Sequence, residues 1–357
     1  MAAISEIYVD PSPTAGDTGT GVIGDPYKDL EYAIEQTTFD TTNGTRFNIK
    51  AGSDEILAAN LYTATQDTGT TIAYVPSTTA KLVFQGYTSA AGDGGQGGIS
   101  GGGSVPIFDG AFQNVHFIDL HMHNTGANYI MRQTTTGTSA ASMVRCEIDN
   151  CTGDATSVGA YGGIYACTFH NIGGIAASGA VDTKLMYCYF YDDGGNDMTM
   201  AVTGFPNCLH NVINLSGGGD GIAVALAGSF TNYNTLYSSS GTGLGIQSYI
   251  NTYMGIILNN YVEGFATNFN LINPSSSKKG VAVLAGNASY NGATADFNIE
   301  AGHAGIDYWG STTLTDSNEI LTASALNNAG SSLFNTVTEG SVQEGSIPDN
   351  IGNGSLA

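Results

Sequence analysis

Three cysteines at identical spacing constrain this chain more than any other feature. Cys146, Cys167 and Cys188 lie 21 residues apart and then 21 again, in "CEIDNC", "CTFHNI" and "CYFYDD". In each, a large apolar residue follows two positions on, and Asn or Asp follows four positions on. A fixed period of this length marks a repeat architecture, in which each unit buries its apolar face only against its neighbours.

Aligned on the polar residue after the short apolar run, the chain reads Asn124, Asn150, Asn171, Asp192, Asn214, Ser238, Asn260 and Asn287. The spacings are 26, 21, 21, 22, 24, 22 and 27 residues. Alternation along a strand then assigns columns. Two positions earlier stand Met122, Ile148, Phe169, Phe190, Val212, Leu236 and Leu258, an apolar column expected to point inward. Four earlier stand Leu120, the three cysteines, His210, Asn234 and Ile256. Six earlier stand Ile118, Val144, Tyr165, Met186, Cys208, Asn232 and Met254. Both are expected inward as well. One short strand after another, with a recurrent Asn at a turn, predicts a parallel β-solenoid whose coils stack about 4.8 Å apart. A buried amide without partners costs about 1–3 kcal/mol, and stacking supplies each Asn with another.

Composition agrees with many short strands. The 357 residues include 50 Gly, and only 11% are charged, against about 25% in ordinary soluble domains. Net charge is −22, with nine Lys plus Arg scattered along the chain. Phosphate-backbone binding needs clustered cations, so nucleic acid is not an expected partner. The N-terminus "MAAISEIYVDPSP" has neither a basic n-region nor an apolar h-region, and no run of 18 apolar residues occurs. No signal peptide and no membrane span are therefore expected. The expected protein is made in the cytoplasm and acts outside a cell only after lysis. The five cysteines follow no C-x-x-C pattern, and without a secretory context free thiols are expected.

The repeat, with its recurrent turn Asn, resembles the right-handed parallel β-helix superfamily, the pectate-lyase-like fold. "IYVDPSPTAGDTGTGVIGDPYKDLEYAIEQ" is similar to that superfamily's opening segment of strand, Gly/Asp loop and capping helix. In it Asp25 is the expected helix cap, Pro26 the first helical residue, and Leu30, Ala33 and Ile34 the apolar stripe. "FNIKAG" (47–52) and "KLVFQGY" (81–87) are expected strands, and 90–104 a Gly-rich loop. The division expected is 1–45 for strand, loop and capping helix, 46–300 for the coils, and 301–357 for a C-terminal cap or extension. The opening segment also resembles proteins predicted from marine phage and planctomycete genomes.

Candidate sites follow from the columns. The cysteines point in parallel rather than converging, so they are read as core filling and not as zinc ligands. His210 is expected to continue that column, buried. "DDGGND" holds the densest acid cluster, Asp192, Asp193 and Asp197, an oxygen-rich turn of the kind that holds calcium. The resemblance implies calcium in lyases of this fold; no other cofactor is implied. Its polygalacturonase branch carries an Asp, a neighbouring Asp pair, Gly-His-Gly and Arg-x-Lys; here "GGGDGIAV" (217–224) offers Asp220 without a pair, "GHAG" (302–305) departs from Gly-His-Gly, and no Arg-x-Lys occurs. Asp193 and Asp220 are the candidate catalytic carboxylates left, and the reading leans against catalysis. The outward positions carry more. Tyr187, Tyr189 and Tyr191 are expected to project from one strand, beside His170, Leu209, Ile213, Tyr233, Tyr237 and Ile257. An exposed patch of this kind marks an interface. Asp149, His170 and Tyr191 share the outward position next to the turn.

The reading is a non-enzymatic structural or adhesive β-helix, a virion component such as a capsid decoration, fibre or tailspike-like protein. Its expected partners are copies of itself, a trimer included, other virion proteins, and surface polysaccharide. The alternative is a polysaccharide lyase or glycoside hydrolase of the same fold.

Overall fold

A computed structural model describes residues 4–11, 19–63, 76–134, 140–224, 229–249, 254–272, 281–285, 287–299 and 307–308. Short parallel strands dominate, and the chain divides into two compact units, Met1–Ile172 and Gly173–Ala357. In each unit every full coil gives one strand to each of three sheets, which is the parallel β-helix expected.

In the first unit, sheet 1 stacks Ser5–Val9, Thr45–Lys50, Leu82–Tyr87, Val115–Ile118, Ser142–Val144 and Gly163–Tyr165. Sheet 2 stacks Asp54–Ile56, Gly97–Ser100, Leu120–Gly126, Glu147–Cys151 and Thr168–His170. Sheet 3 stacks Phe108–Gly110, Met131–Gln133 and Thr156–Val158. In the second unit, sheet 1 stacks Lys184–Met186, Asn207–Leu209, Ser229–Asn232, Met254–Leu258, Val281–Ala285 and Asp307–Tyr308. Sheet 2 stacks Tyr189–Tyr191, Val212–Leu215, Thr235–Ser238, Tyr261–Glu263 and Ala288–Tyr290. Sheet 3 stacks Ile175–Gly179, Met200–Thr203, Asp220–Val224, Leu244–Tyr249, Thr267–Ile272 and Ala295–Ile299.

In-register stacking puts like on like. Phe47, Phe84 and Phe117 are register partners, fully buried, with ring centroids 5.6 and 5.5 Å apart and planes within 16° and 11°. The strand written over 81–87 is present. The stretch 90–104 is not loop throughout, because it holds the strand Gly97–Ser100. A Cβ at Gly97 would press on Ile49, so glycine here permits close backbone packing rather than a loose turn.

The corner between sheets 1 and 2 is the feature that alternation did not show. Its first residue adopts a left-handed conformation in coil after coil. In the first unit these are Asp119, Arg145 and Ala166, at φ 54°, 53° and 52°. In the second they are Tyr187, His210, Tyr233 and Asn259, at φ 59°, 56°, 56° and 54°. A left-handed residue breaks the period of two. Ile118, Val144 and Tyr165, expected inward, are therefore half-exposed, and their neighbours Phe117, Met143 and Ile164 are buried instead.

The residue after the corner points inward and is fully buried. It is Leu120, Cys146 and Cys167 in the first unit, and Cys188, Asn211, Asn234, Asn260 and Asn287 in the second. His210 thus does not continue the cysteine position; Asn211 does. All five cysteines are free and buried. Burial pushes the Cys146 thiol well up and the Cys208 thiol to about 12.

The asparagines form a closed ladder. Asn234 Oδ1 accepts from the backbone N–H of Asn211 at 2.9 Å and from its Nδ2 at 3.0 Å. Asn234 Nδ2 donates to the Cys208 carbonyl at 2.9 Å and to Asn260 Oδ1 at 3.0 Å. Asn260 repeats the pattern toward Asn287. The buried Asn ladder expected at the second turn therefore sits at the first corner. Asn124, Asn150 and Asn171 are instead left-handed turn residues, with φ of 57°, 50° and 51° and side chains reaching solvent. Asn214 is not in their position, because the register pairs it with Tyr191 and Tyr237.

The helix spans Leu30–Gln36, with Leu30, Ala33 and Ile34 buried as expected. Its cap is Asp29, which accepts the Tyr32 N–H at 2.7 Å, and not Asp25. Asp25 and Pro26 lie in an extended lead-in whose Tyr27 pairs with Val9; a residue before proline is driven away from helical geometry. The tail beyond residue 308 lies outside the described residues.

Asn234→Ala strands buried donors on Asn211 and should cost about 3–5 kcal/mol in urea unfolding. Asn150→Gly, at an exposed left-handed turn, should stay within about 1 kcal/mol of wild type. A third prediction concerns His116, whose Nδ1 meets Ser142 Oγ at 2.6 Å while its buried Nε2 has no partner. Burial, aided by the Lys81 charge, pushes its pKa down from 6.5 to about 4. Only the unfolded chain binds this proton between those values, so stability falls as pH drops from about 6.5 toward 4. The stability difference between wild type and His116→Gln should shrink by about 3 kcal/mol across that window.

Candidate functional site

On a strand, alternate residues share one face. The outer face of sheet 2 in the first unit collects histidines and carboxylates this way. One row pairs Asp54, Gly98, His121, Glu147 and Thr168 in successive coils. The parallel row pairs Ile56, Ser100, His123 and Asp149. His170 lies beyond Asp149 in the next strand, outward as expected for both.

These side chains engage one another. His121 Nε2 lies 2.9 Å from Asp149 Oδ1, and His123 Nε2 lies 3.2 Å from Asp54 Oδ2. His170 Nε2 lies 3.2 Å from Glu147 Oε1 and 3.7 Å from Asp149 Oδ2. Gln96 donates to the other Glu147 oxygen at 3.3 Å. The His121 and His123 rings stack with centroids 4.3 Å apart and planes within 9°. Gly98 makes room for this, since a Cβ there would collide with the Asp54 carboxylate.

The hydrogen bond to Asp149 raises the His121 pKa against the opposing effect of burial. Burial alone would raise the Asp149 carboxyl, but the His121 bond and the charges of His121, His170 and His123 bring it below its ordinary value. Chemically the face can hold a cation, exchange protons between imidazole and carboxylate, or hydrogen-bond the hydroxyls of a sugar.

The second unit holds the expected tyrosines, in two groups rather than one patch. Tyr187 and Tyr233 occupy the left-handed corner with His210 between them. The Tyr187–His210 centroids are 5.0 Å apart and the His210–Tyr233 centroids 4.9 Å, with planes within 8° and 3°. Tyr187 is 58% exposed and Tyr233 36%. His210 is thus not a buried core histidine; burial still lowers its pKa, and its Nδ1 has no partner. Tyr189 and Tyr191 stack on each other at 4.9 Å on the outer face of sheet 2. There Tyr191, Asn214, Tyr237, Glu263 and Tyr290 form one register column. Tyr237 lines an open polar pocket of about 240 Å³ with residues 238–241, Glu263, Gly264, Asn291 and Ala293. Ile213 and Ile257, expected in the patch, are buried. At Ile213, which pairs with Phe190, the register is one residue longer than the alignment assumed, and such a slip turns a side chain to the other face. Ile257 lies in sheet 1, paired with Thr231, because its coil is longer still.

The acid cluster does not assemble. Asp192 is buried, and its oxygens accept the backbone N–H groups of Met198, Ser216 and Gly217 at 3.0, 2.8 and 3.1 Å. It braces a turn. Asp193 accepts from Gly195 at 3.3 Å, and Asp197 is exposed over Gly217. Asp220 accepts the Leu244 N–H at 2.8 Å, and burial raises its pKa. Among the described residues, Asp54, His121 and His123 form a group of three whose ligand atoms all lie within 4.8 Å of one another. The sequence showed Asp149 and His170 facing outward. The H-x-H of residues 121–123 and the E-x-D of residues 147–149, each on a predicted strand, were the signals for the rest. Nothing local marked Asp54.

No family model matches the chain, and no curated protein matches it. Among solved structures, the crystal structure of a pectate lyase is similar, at 12% identity and a TM-score of 0.48, over 96% of this chain and 89% of that one. No helix among the described residues is long and apolar enough to cross a membrane.

Proposed function

We propose that the protein is a non-catalytic structural or adhesive β-helix that attaches to partner surfaces through the tyrosine ridge of its second unit. The observation that carries this reading is the stack of Tyr187, His210 and Tyr233. A bulky residue in the left-handed region costs roughly 1–2 kcal/mol, which Gly or Asn would largely avoid. Three successive coils nonetheless hold Tyr, His and Tyr there. Strain kept in this way clusters at functional positions. The rings cover one another's faces, so the ridge offers edges and polar tips to the outside. That amphipathic surface suits protein or polysaccharide contact.

The first partner proposed is another copy of the chain, as in trimeric fibres and tailspikes. An outer place on a virion is the setting proposed for it. The ridge is tested by light scattering of the purified protein and by binding to a polysaccharide array. Wild type should self-associate or bind. Tyr187→Ala combined with Tyr233→Ala should weaken that association about tenfold or more, or 1.4 kcal/mol. A wild type that stays monomeric and binds nothing overturns the proposal.

A second reading, a polysaccharide lyase or hydrolase, is favoured by the face of the first unit, where His170 stands between Glu147 and Asp149. Sugar-chain cleavage needs paired carboxylates or a positioned base. Release of reducing ends or unsaturated sugars that is lost in both His170→Ala and Asp149→Asn would replace the adhesive reading with this one.

A further inference from the structure

We propose that Asp54, His121 and His123 form a binding site for a divalent transition-metal ion in the first unit. The site is independent of the tyrosine ridge.

The argument begins with the strand. His121 and His123 are two residues apart and project from the same face, with stacked rings 4.3 Å apart. Because the nitrogen lone pairs lie in the ring planes, one ring turns out of the stack when both nitrogens meet one ion. Asp54 comes from two strands away and reaches them across Gly98, whose missing side chain leaves the space that the carboxylate fills. One donor atom from each residue lies within 4.8 Å of the other two. The Asp54 Oδ2 to His123 Nε2 separation is 3.2 Å. Two ligands on a tetrahedral ion with bonds of about 2.0–2.1 Å are separated by about 3.3 Å. An ion can therefore replace the proton between them with little movement of either group.

The donor set selects the metal. Two imidazoles and one carboxylate suit zinc, cobalt, nickel or copper, whereas calcium and magnesium take oxygen ligands. Three protein donors leave coordination positions open to solvent, as in reactive rather than closed structural sites. His121 has its Nε2 engaged by Asp149 at 2.9 Å, so it offers Nδ1. A carboxylate on the far nitrogen fixes the ring and its tautomer, the usual outer support of a metal-bound histidine. Asp149 is thus a positioning residue and not a ligand.

The test uses the full chain without a histidine tag, stripped with chelator and titrated with Co²⁺ while visible absorption is followed. One equivalent should bind with a saturable band that Zn²⁺ abolishes. His123→Ala and Asp54→Asn should remove the band. Asp149→Asn should weaken binding about tenfold. Gly98→Ala keeps all three donors but displaces the Asp54 carboxylate, and should weaken binding too; it guards against loss through misfolding. Lys184→Ala, exposed and outside the site, should bind as wild type does. The proposal falls if no band saturates near one equivalent. It falls equally if the band survives both His123→Ala and Gly98→Ala, or is lost in Lys184→Ala.

Discussion

Parallel, in-register stacking is the constraint on which the rest depends. Each backbone position in a coil has its counterpart directly above and below, so a side chain's main neighbours are its own column. An interior residue must therefore tolerate a copy of itself or a close equivalent. Phenylalanine meets this by ring stacking in the Phe47, Phe84 and Phe117 column. Asparagine meets it because its amide is both donor and acceptor, so Asn211, Asn234, Asn260 and Asn287 satisfy one another in turn. A buried Asp or Lys column would bring like charges together. The low charge content of the chain is a consequence of this geometry as much as of its strand-rich composition.

The same geometry decides what the sequence could show. A repeat of near-constant length is visible without any structure, and with it the strands, the helix stripe Leu30, Ala33 and Ile34, and the buried cysteines. The corner was not visible. Arg145, Ala166 and Tyr187 are residue types that seldom take left-handed backbone, so nothing local announced that alternation stops there. Ile118, Val144 and Tyr165 were turned to the wrong side for that reason, and His210 was placed one residue away from its real column. The longer coil between Asp192 and Leu215 had the same effect on Ile213.

For the sites, legibility followed sequence distance. Asp149 and His170 sit beside a turn residue that the repeat marks, so their outward direction could be read. The approach of Asp54 to His121 and His123 depends on the absence of a side chain at Gly98. A glycine in a Gly-rich stretch reads as loop, and its steric meaning appears only when the neighbouring strand is in place. The acid-rich turn at Asp192 misled in the opposite sense. Carboxylates close in sequence were taken for a cluster, while backbone N–H groups had claimed the buried one.

The asparagine ladder is directional. From Asn211 to Asn260, each side-chain amide hands one hydrogen to the oxygen of the next Asn and the other to a backbone carbonyl of the preceding coil, and the side-chain oxygens of Asn234, Asn260 and Asn287 each receive from the preceding Asn. A rung is therefore interchangeable with its neighbour, because each leaves the same open bond above and below. A coil copied within the gene between Asn211 and Asn260 would enter with all its amides matched. The fold can lengthen by whole turns without redesigning its interior, and any face it carries outside lengthens with it.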